Sequence, residues 1–211
     1  MFKSHPVKLV IIFFVLLTFT TSTVKGHIVD INQGEVKDIK HYVFDTVHLN
    51  LKELIENAGI IFSGTCIKVN EIERDPFSGL NVVEFTFKID EGIKGTSNSK
   101  KISFKQWKPT VKDSGYEIGQ KYVLFLHGNS KLALTSPVGF LQGQFKVFGD
   151  GEKKSVKNKL GNFGLTSDIK TTRKLYLKDK KLSRYLRERS DAGATIAYRE
   201  FILAIKYLAE D

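Results

Sequence analysis

The stretch IIFSGTCIKVNEIE, residues 60–73, changes phase part-way along. Ile60 and Phe62 put apolar side chains on one face of an extended chain, whereas Ile67 and Val69, beyond Ser63 and Gly64, have the opposite parity. Successive strand residues face opposite ways, so a parity change beside a glycine predicts a β-bulge, with one extra residue at Gly64. Bulges turn strands around corners, so the segment reads as one long bent strand of a small, strongly curved barrel.

Working outward, Asn50 with Glu53 three residues on forms a capping box for a short helix carrying Leu51, Leu54 and Ile55, with Gly59 as its terminator. After the turn RDPFSG (74–79), Val83, Phe85, Phe87 and Ile89 alternate with Glu84, Thr86, Lys88 and Asp90, the pattern of a strand with one wet face. A third strand runs over residues 102–107. KYVLFL, residues 121–126, is apolar on both faces and is expected at the centre of the sheet. A hairpin through Gly128 and Asn129 returns the chain at Leu132 and Leu134, and strands follow at 144–148 and 155–157 around Gly149-Asp150-Gly151. Near the C-terminus Ala197, Phe201, Ala204, Ile205 and Leu208 share one helical face. The expected fold is therefore mainly β: an antiparallel barrel of five or six strands, with a short N-terminal helix and a packed C-terminal helix.

The chain has 211 residues and a formal charge of +10. Lys3 and Lys8 precede nine unbroken apolar residues, 9–17, then Thr-rich sequence and Val24-Lys25-Gly26, the order of a secretory signal peptide cleaved after Gly26. Nine residues fall short of the ~20 that span a bilayer, which disfavours the competing reading of an uncleaved inner-membrane anchor. Cleavage removes three lysines and no acid, leaving +7, so the exported chain, periplasmic or extracellular, favours anionic envelope surfaces or acidic proteins. Export argues against nucleic acid. Cys66 is the sole cysteine, so the core must hold the fold without a disulfide, and its apolar strand setting reads as a buried thiol.

These signals divide the chain into a signal peptide (1–26), an N-terminal arm (27–49), the barrel with its strand extension (50–168), a basic connecting segment (169–195) and the C-terminal helix (196–211). Between residues 169 and 189 nine cations face only Asp179 and Glu188. Such a run reads first as a solvated loop, partly helical in places, and second as an anion-attracting surface in which Arg184 and Arg187 could hold phosphate.

The pieces AGIIFSGT (58–65), VVEFTFKIDEGIKG (82–95) and GQKYVLFL (119–126) resemble the exported bacterial relatives of the netrin-like domain. That domain is the OB-fold barrel also found in tissue inhibitors of metalloproteinases. VGFLQGQFKVF (138–148), KNKLGNFGL (157–165) and REFILAIKYL (199–208) are similar to segments that follow the barrel in those bacterial proteins, so the likeness spans about residues 50–208. The resemblance implies an OB-type fold. It does not carry protease inhibition across, because the inhibitors chelate the protease zinc through an N-terminal Cys-x-Cys, whereas the expected mature terminus here is His27-Ile28-Val29-Asp30.

No HExxH, CxxC, GxSxG or phosphate-cradling glycine loop is present. The leading expectation is a non-enzymatic binding module of the cell envelope, within which an inhibitor-like action belongs, and no cofactor is called for. The competing one is a hydrolytic enzyme whose site is assembled from distant residues, drawing on His41, His48, His127 and nearby carboxylates. Candidate binding residues are Lys105, Trp107 and Lys108 at the end of the third strand, where OB barrels bind ligands, together with Arg184 and Arg187. Trp107 reads first as closing one end of the core and second as a stacking platform. No metal site is expected, although a free His27 amine with its imidazole, joined by His41 or His48, would suit copper or zinc.

Overall fold

The computed structural model describes residues 47–96, 98–108 and 115–210. The signal peptide, His27 and His41 lie outside the described residues, as does most of the arm.

Helix α1 (Leu51–Asn57) forms as the capping box dictates: Asn50 Oδ1 accepts the Glu53 N–H at 3.0 Å and Glu53 returns to the Asn50 N–H at 2.9 Å. The chain leaves it through Ala58 in extended conformation. Seven strands follow: β1 (Ile60–Ile72), β2 (Val82–Lys94), β3 (Lys101–Trp107), β4 (Lys121–Leu126), β5 (Gln144–Phe148), β6 (Ser155–Asn158) and β7 (Ile196–Ala197). They form one antiparallel sheet in the order β3-β2-β1-β4-β5-β6-β7. The two-residue β7 was beyond reach of periodicity.

The hairpin expected after β4 takes another course. Leu134 bridges Lys105 of β3 in parallel, the Thr135 N–H donates to the Lys105 carbonyl at 2.9 Å, and Pro137 bridges back to Leu126. The return chain thus serves both β3 and β4.

Strand β1 is long and irregular as its phase change predicts, but the phase change sits elsewhere. At Ser63 and Gly64 the register does shift, yet the extra residue there belongs to β2, where Asp90 is skipped between the partners Glu91 and Ile89. The extra residue of β1 itself is Ile67, passed over between Cys66 and Lys68. Phe62 and Cys66 therefore share a face with Val69 beyond the bulge, and Ile67 is turned out, 39% exposed. Gly64 has a different reason to be glycine: a Cβ would stand 2.6 Å from the Lys88 carbonyl oxygen, where the two strands press together.

The sheet is covered on both faces. One face carries an aromatic cluster in which Phe87 stacks on Phe104 at 5.7 Å and meets Tyr116 and Tyr122 edge-on, joined by Phe62, Phe85, Leu124 and Leu126. The other face packs Ile61, Val123, Phe125 and Phe145 against α1 and α4 (Tyr198–Ala209), with Phe201 4.6 Å from Phe145. β4 alternates Tyr122, Leu124 and Leu126 into the first cluster with Val123 and Phe125 into the second, which is why it is apolar throughout.

Residues 169–195 are not a loop. They form α2 (Ile169–Lys178) and α3 (Lys180–Asp191), whose Leu175, Leu182 and Leu186 enter the same cluster as α1 and α4. The charge run hid those three leucines, one on α2 and two four residues apart on one face of α3. Among the described residues no helix is long and apolar enough to cross a membrane.

The bulge position makes a sharp contrast. Phe62→Ala should cost about 3–5 kcal/mol, whereas Ile67→Ser should stay within about 1 kcal/mol, measured by urea denaturation. Equal losses would place Ile67 in the core and refute the register.

Candidate functional site

The residues expected at the end of β3 separate. Phe104 and Gln106 face the core, so alternation turns Trp107 outward, and at 64% exposure it does not close one end of the core. Tyr116 does that instead, buried against Phe85 at 4.7 Å and Phe87 at 5.2 Å. Lys105 and Lys108 are both taken by carboxylates, Asp75 and Glu71 respectively. Asp75 is fully buried in the turn after β1, where one carboxylate oxygen accepts the Ser78 N–H and hydroxyl, each at 3.0 Å, and the Phe77 N–H at 3.2 Å. The Lys105 ammonium holds the Asp75 carboxyl below the usual carboxylate range against the opposing pull of burial. This pair is a fastener between the turn and β3.

A second site emerges from the basic segment, built by polar residues that the sequence reading passed over. Asn162, fully buried, donates to the Val156 and Ala194 carbonyls, both at 2.9 Å, and fixes the chain leaving β6. The Thr166 N–H donates to Ser190 Oγ of α3 at 3.1 Å, and the Leu51 N–H to the Leu165 carbonyl at 2.8 Å, seating residues 165–166 between α1 and α3. Asp168 then caps α2 by accepting the Thr171 N–H at 2.8 Å. Asp179 is the whole corner between the helices: its N–H closes α2 on the Leu175 carbonyl, and its carboxylate opens α3 by accepting the Lys181 and Leu182 N–H groups at 2.9 and 3.0 Å. Across that corner Ser183 Oγ donates to the Thr172 carbonyl at 3.3 Å.

This tight pair of helices borders a groove of about 560 Å³ lined by Thr166, Ser167, Thr172, Tyr176 and Ser183, the cations Arg173, Lys180, Arg184 and Arg187, and the acids Asp168 and Asp191. Three of the segment's other cations are deployed differently. Lys174 donates to the Leu208 and Glu210 carbonyls at the end of α4, Lys178 pairs with Glu210 at 3.1 Å, and Arg189 lies 5.5 Å from the centre of the Tyr185 ring. Lys180 lies over Tyr176 at 5.2 Å. Arg173, Arg184 and Arg187 have no ion-pair partner among the described residues, and all three line the groove. Two polar atoms of these residues, Thr166 Oγ1 and Asp168 Oδ2, are closed off from solvent and have no hydrogen-bond partner among the described residues. An unpaired buried polar atom is costly, and in native folds it calls for an explanation.

The catalytic candidates are dispersed. No histidine lines the groove; the His48 ring stands against Gly164, and His127 follows β4 with its N–H on the Ser136 carbonyl. Ser63, Tyr198 and Lys121 do meet: Tyr198 Oη donates to Ser63 Oγ at 2.9 Å and Lys121 Nζ lies 4.6 Å from the Tyr198 ring centre. Burial pulls the Lys121 pKa down, but the hydrogen bonds to Asp90 and Tyr198 more than offset this and raise it. Ser63 is fully buried, so the trio ties α4 to β1 rather than presenting a nucleophile. Burial pushes the Cys66 thiol up, which leaves it in the unreactive protonated form. Among the described residues no cluster of three or more metal-ligating acids, histidines or cysteines occurs.

Because folding lowers the Asp75 pKa, its contribution is fully present above the unfolded value of ~3.9 and is lost as pH falls through the lower folded value. Asp75→Asn should therefore lower Tm at pH 7 and flatten the fall in Tm between about pH 5 and 2; an unchanged acid limb in calorimetry would refute this role. Thr166→Val, which removes an unpartnered buried hydroxyl at constant shape, should leave stability unchanged or raise it by up to about 1 kcal/mol, whereas a loss above that would mean the hydroxyl is bonded.

No family model matches this chain, and no curated protein matches it.

Proposed function

We propose that this protein is an exported, non-enzymatic binding module of the cell envelope that captures an anionic partner in the groove between α2 and α3. The observation that carries the reading is the convergence of Arg173, Arg184 and Arg187 on one concave surface with no carboxylate partner among the described residues. A guanidinium is a rigid fork of donors matched to phosphate and carboxylate oxygens, and three without an ion-pair partner on one groove suit an anion supplied from outside. The same helices spend Lys174 and Lys178 on the end of α4, so the basic charge is divided between a structural anchor and an open face.

Within this reading the leader at residues 1–26 directs export, and the β-rich part is a barrel of the OB type, as in the netrin-like domain. What supports the barrel is the path of the chain after β4: the parallel bridge from Leu134 to the edge strand β3 and the antiparallel bridge from Pro137 to β4 link the two across the aromatic cluster. Trp107 adds an exposed aromatic at the far end of β3, apart from the groove lining.

Binding to anionic vesicles across a salt series tests the proposal. At low salt the mature protein should bind, and changing Arg173, Arg184 and Arg187 together to Gln should weaken binding roughly 100-fold, since each basic residue near such a surface contributes about 1 kcal/mol. The effect should shrink as salt shortens the screening length to ~8 Å and below. Lys174→Gln should instead lower stability. Equal binding by wild type and the triple variant, or binding indifferent to salt, would remove the groove from the function.

A further inference from the structure

We propose that the α2–α3 groove faces a bilayer of anionic phospholipid, whose phosphates meet Arg173, Arg184 and Arg187 while Leu177 and Tyr176 enter the layer just beneath them. This rests on the reading of the groove as an anion site and names the partner of that site.

An anion site has no use for apolar side chains, yet two stand beside the arginines. Leu177 of α2 is 74% exposed, and Tyr176, part of the groove lining, is 49% exposed. Helical periodicity brings them there. Tyr176 lies three residues and Leu177 four residues beyond Arg173, and Lys170 lies three before it, so Lys170, Arg173 and Leu177 follow one stripe of α2 with Tyr176 alongside. On α3, Lys180, Arg184 and Arg187 follow at steps of four and three and all line the groove. Like charges at those steps repel along a helix, and an anionic surface relieves the repulsion. The packing of the two helices uses none of these residues, since Leu175, Leu182 and Leu186 supply the buried contacts.

Charge selects an anionic partner, and the mixture of side chains selects a bilayer. The lining carries Arg173, Lys180, Arg184 and Arg187 against Asp168 and Asp191, a cationic balance. A protein interface keeps charge away from its centre, whereas Leu177 and Tyr176 stand among cations. That is the composition of a helix lying in a membrane interface, where cations stay at the phosphates and apolar side chains reach about 5–10 Å into the boundary between headgroups and acyl chains. Lysine and arginine stems suit this arrangement, because their methylenes lie along apolar surface while the charge remains at phosphate level. Phosphates spread over a plane also match donors held on two separate helices, whereas one carboxylate offers only two oxygens.

Flotation of the mature protein with vesicles of phosphatidylglycerol in phosphatidylcholine, set against phosphatidylcholine alone, provides the test, with inorganic phosphate and poly-glutamate as soluble anions. Binding should require phosphatidylglycerol. Leu177→Ser should weaken it about tenfold, the loss expected when one large apolar side chain is no longer buried. Tyr176→Ser should weaken it less, and Tyr176→Phe should bind as the wild type does. Both side chains are exposed, so none of these changes should lower Tm. Insertion can be read directly. Trp107 is the only tryptophan of the chain, so Leu177→Trp in a Trp107→Phe background reports from the groove alone. Its emission should shift to the blue on the anionic vesicles and be quenched by lipids brominated along the acyl chain, and should do neither with inorganic phosphate. Vesicle binding that is lost when the three arginines become Gln but is untouched in Leu177→Ser, with no blue shift, would overturn the inference while the anion site stands. Poly-glutamate bound more tightly than the vesicles would do the same and make an acidic protein the occupant. Failure to bind vesicles, phosphate or poly-glutamate would overturn both.

Discussion

Burial of β4 on both faces governs the architecture. A strand apolar on one side needs one partner layer, but Val123 and Phe125 point opposite to Tyr122, Leu124 and Leu126, and all five are almost inaccessible to water. Each face fully removed from solvent is worth about 1.5–3 kcal/mol per large side chain, so neither can be left open. The two layers are chemically distinct. The aromatic one is assembled from the strands themselves, by the curl of β1, β2 and β3 around Phe87 and Tyr116. The aliphatic one is assembled by helices drawn from both ends of the described chain, α1 before the sheet and α2, α3 and α4 after it.

That arrangement makes β1 the hinge between layers. Ile61 packs toward the helices and Phe62 toward the aromatic cluster, and the register shifts between β1 and β2 let the strand keep both commitments while it bends. Two extra residues fall on β2, at Ile93 and Asp90, and one at Ile67 of β1, so the pair curves without losing its ladder. Close approach at Gly64 is the steric condition for this.

The groove is a by-product of the same demand. Covering the aliphatic face requires Leu175, Leu182 and Leu186 to point inward, and the single-residue corner at Asp179 folds α2 back along α3 to deliver them. The arginines of both helices are then turned out to water. Lys174 meets the free carbonyls at the end of α4, where a cation opposes the negative end of the helix, and Lys178 pairs with the Glu210 carboxylate. Arg173, Arg184 and Arg187 on the other flank form no ion pair among the described residues and line the groove. Function, on this view, sits on the helices that close the core and not on the strand ends.

Local physics was legible in the residues themselves. The capping box of Asn50 and Glu53, the wet-faced alternation of β2, the two-sided apolarity of β4 and the inward face of α4 are each set by neighbours within a few positions, and each is found where the pattern put it. The existence of a phase change in β1 was equally local, but its position was not, because which strand carries the extra residue depends on the pairing partner β2. Trp107 shows the same limit: alternation assigns it the face opposite Phe104, yet only the assembled cluster, with Tyr116 filling the end, decides that this face is water. The basic segment was legible as charge and illegible as structure. Three leucines and two capping aspartates mark its helices, but nothing in the spacing of its cations says that Lys174 and Lys178 will reach α4 while Arg173, Arg184 and Arg187 are left facing a groove. That division is made by tertiary contacts between residues more than thirty positions apart, which is the physical reason the candidate site had to wait for the fold.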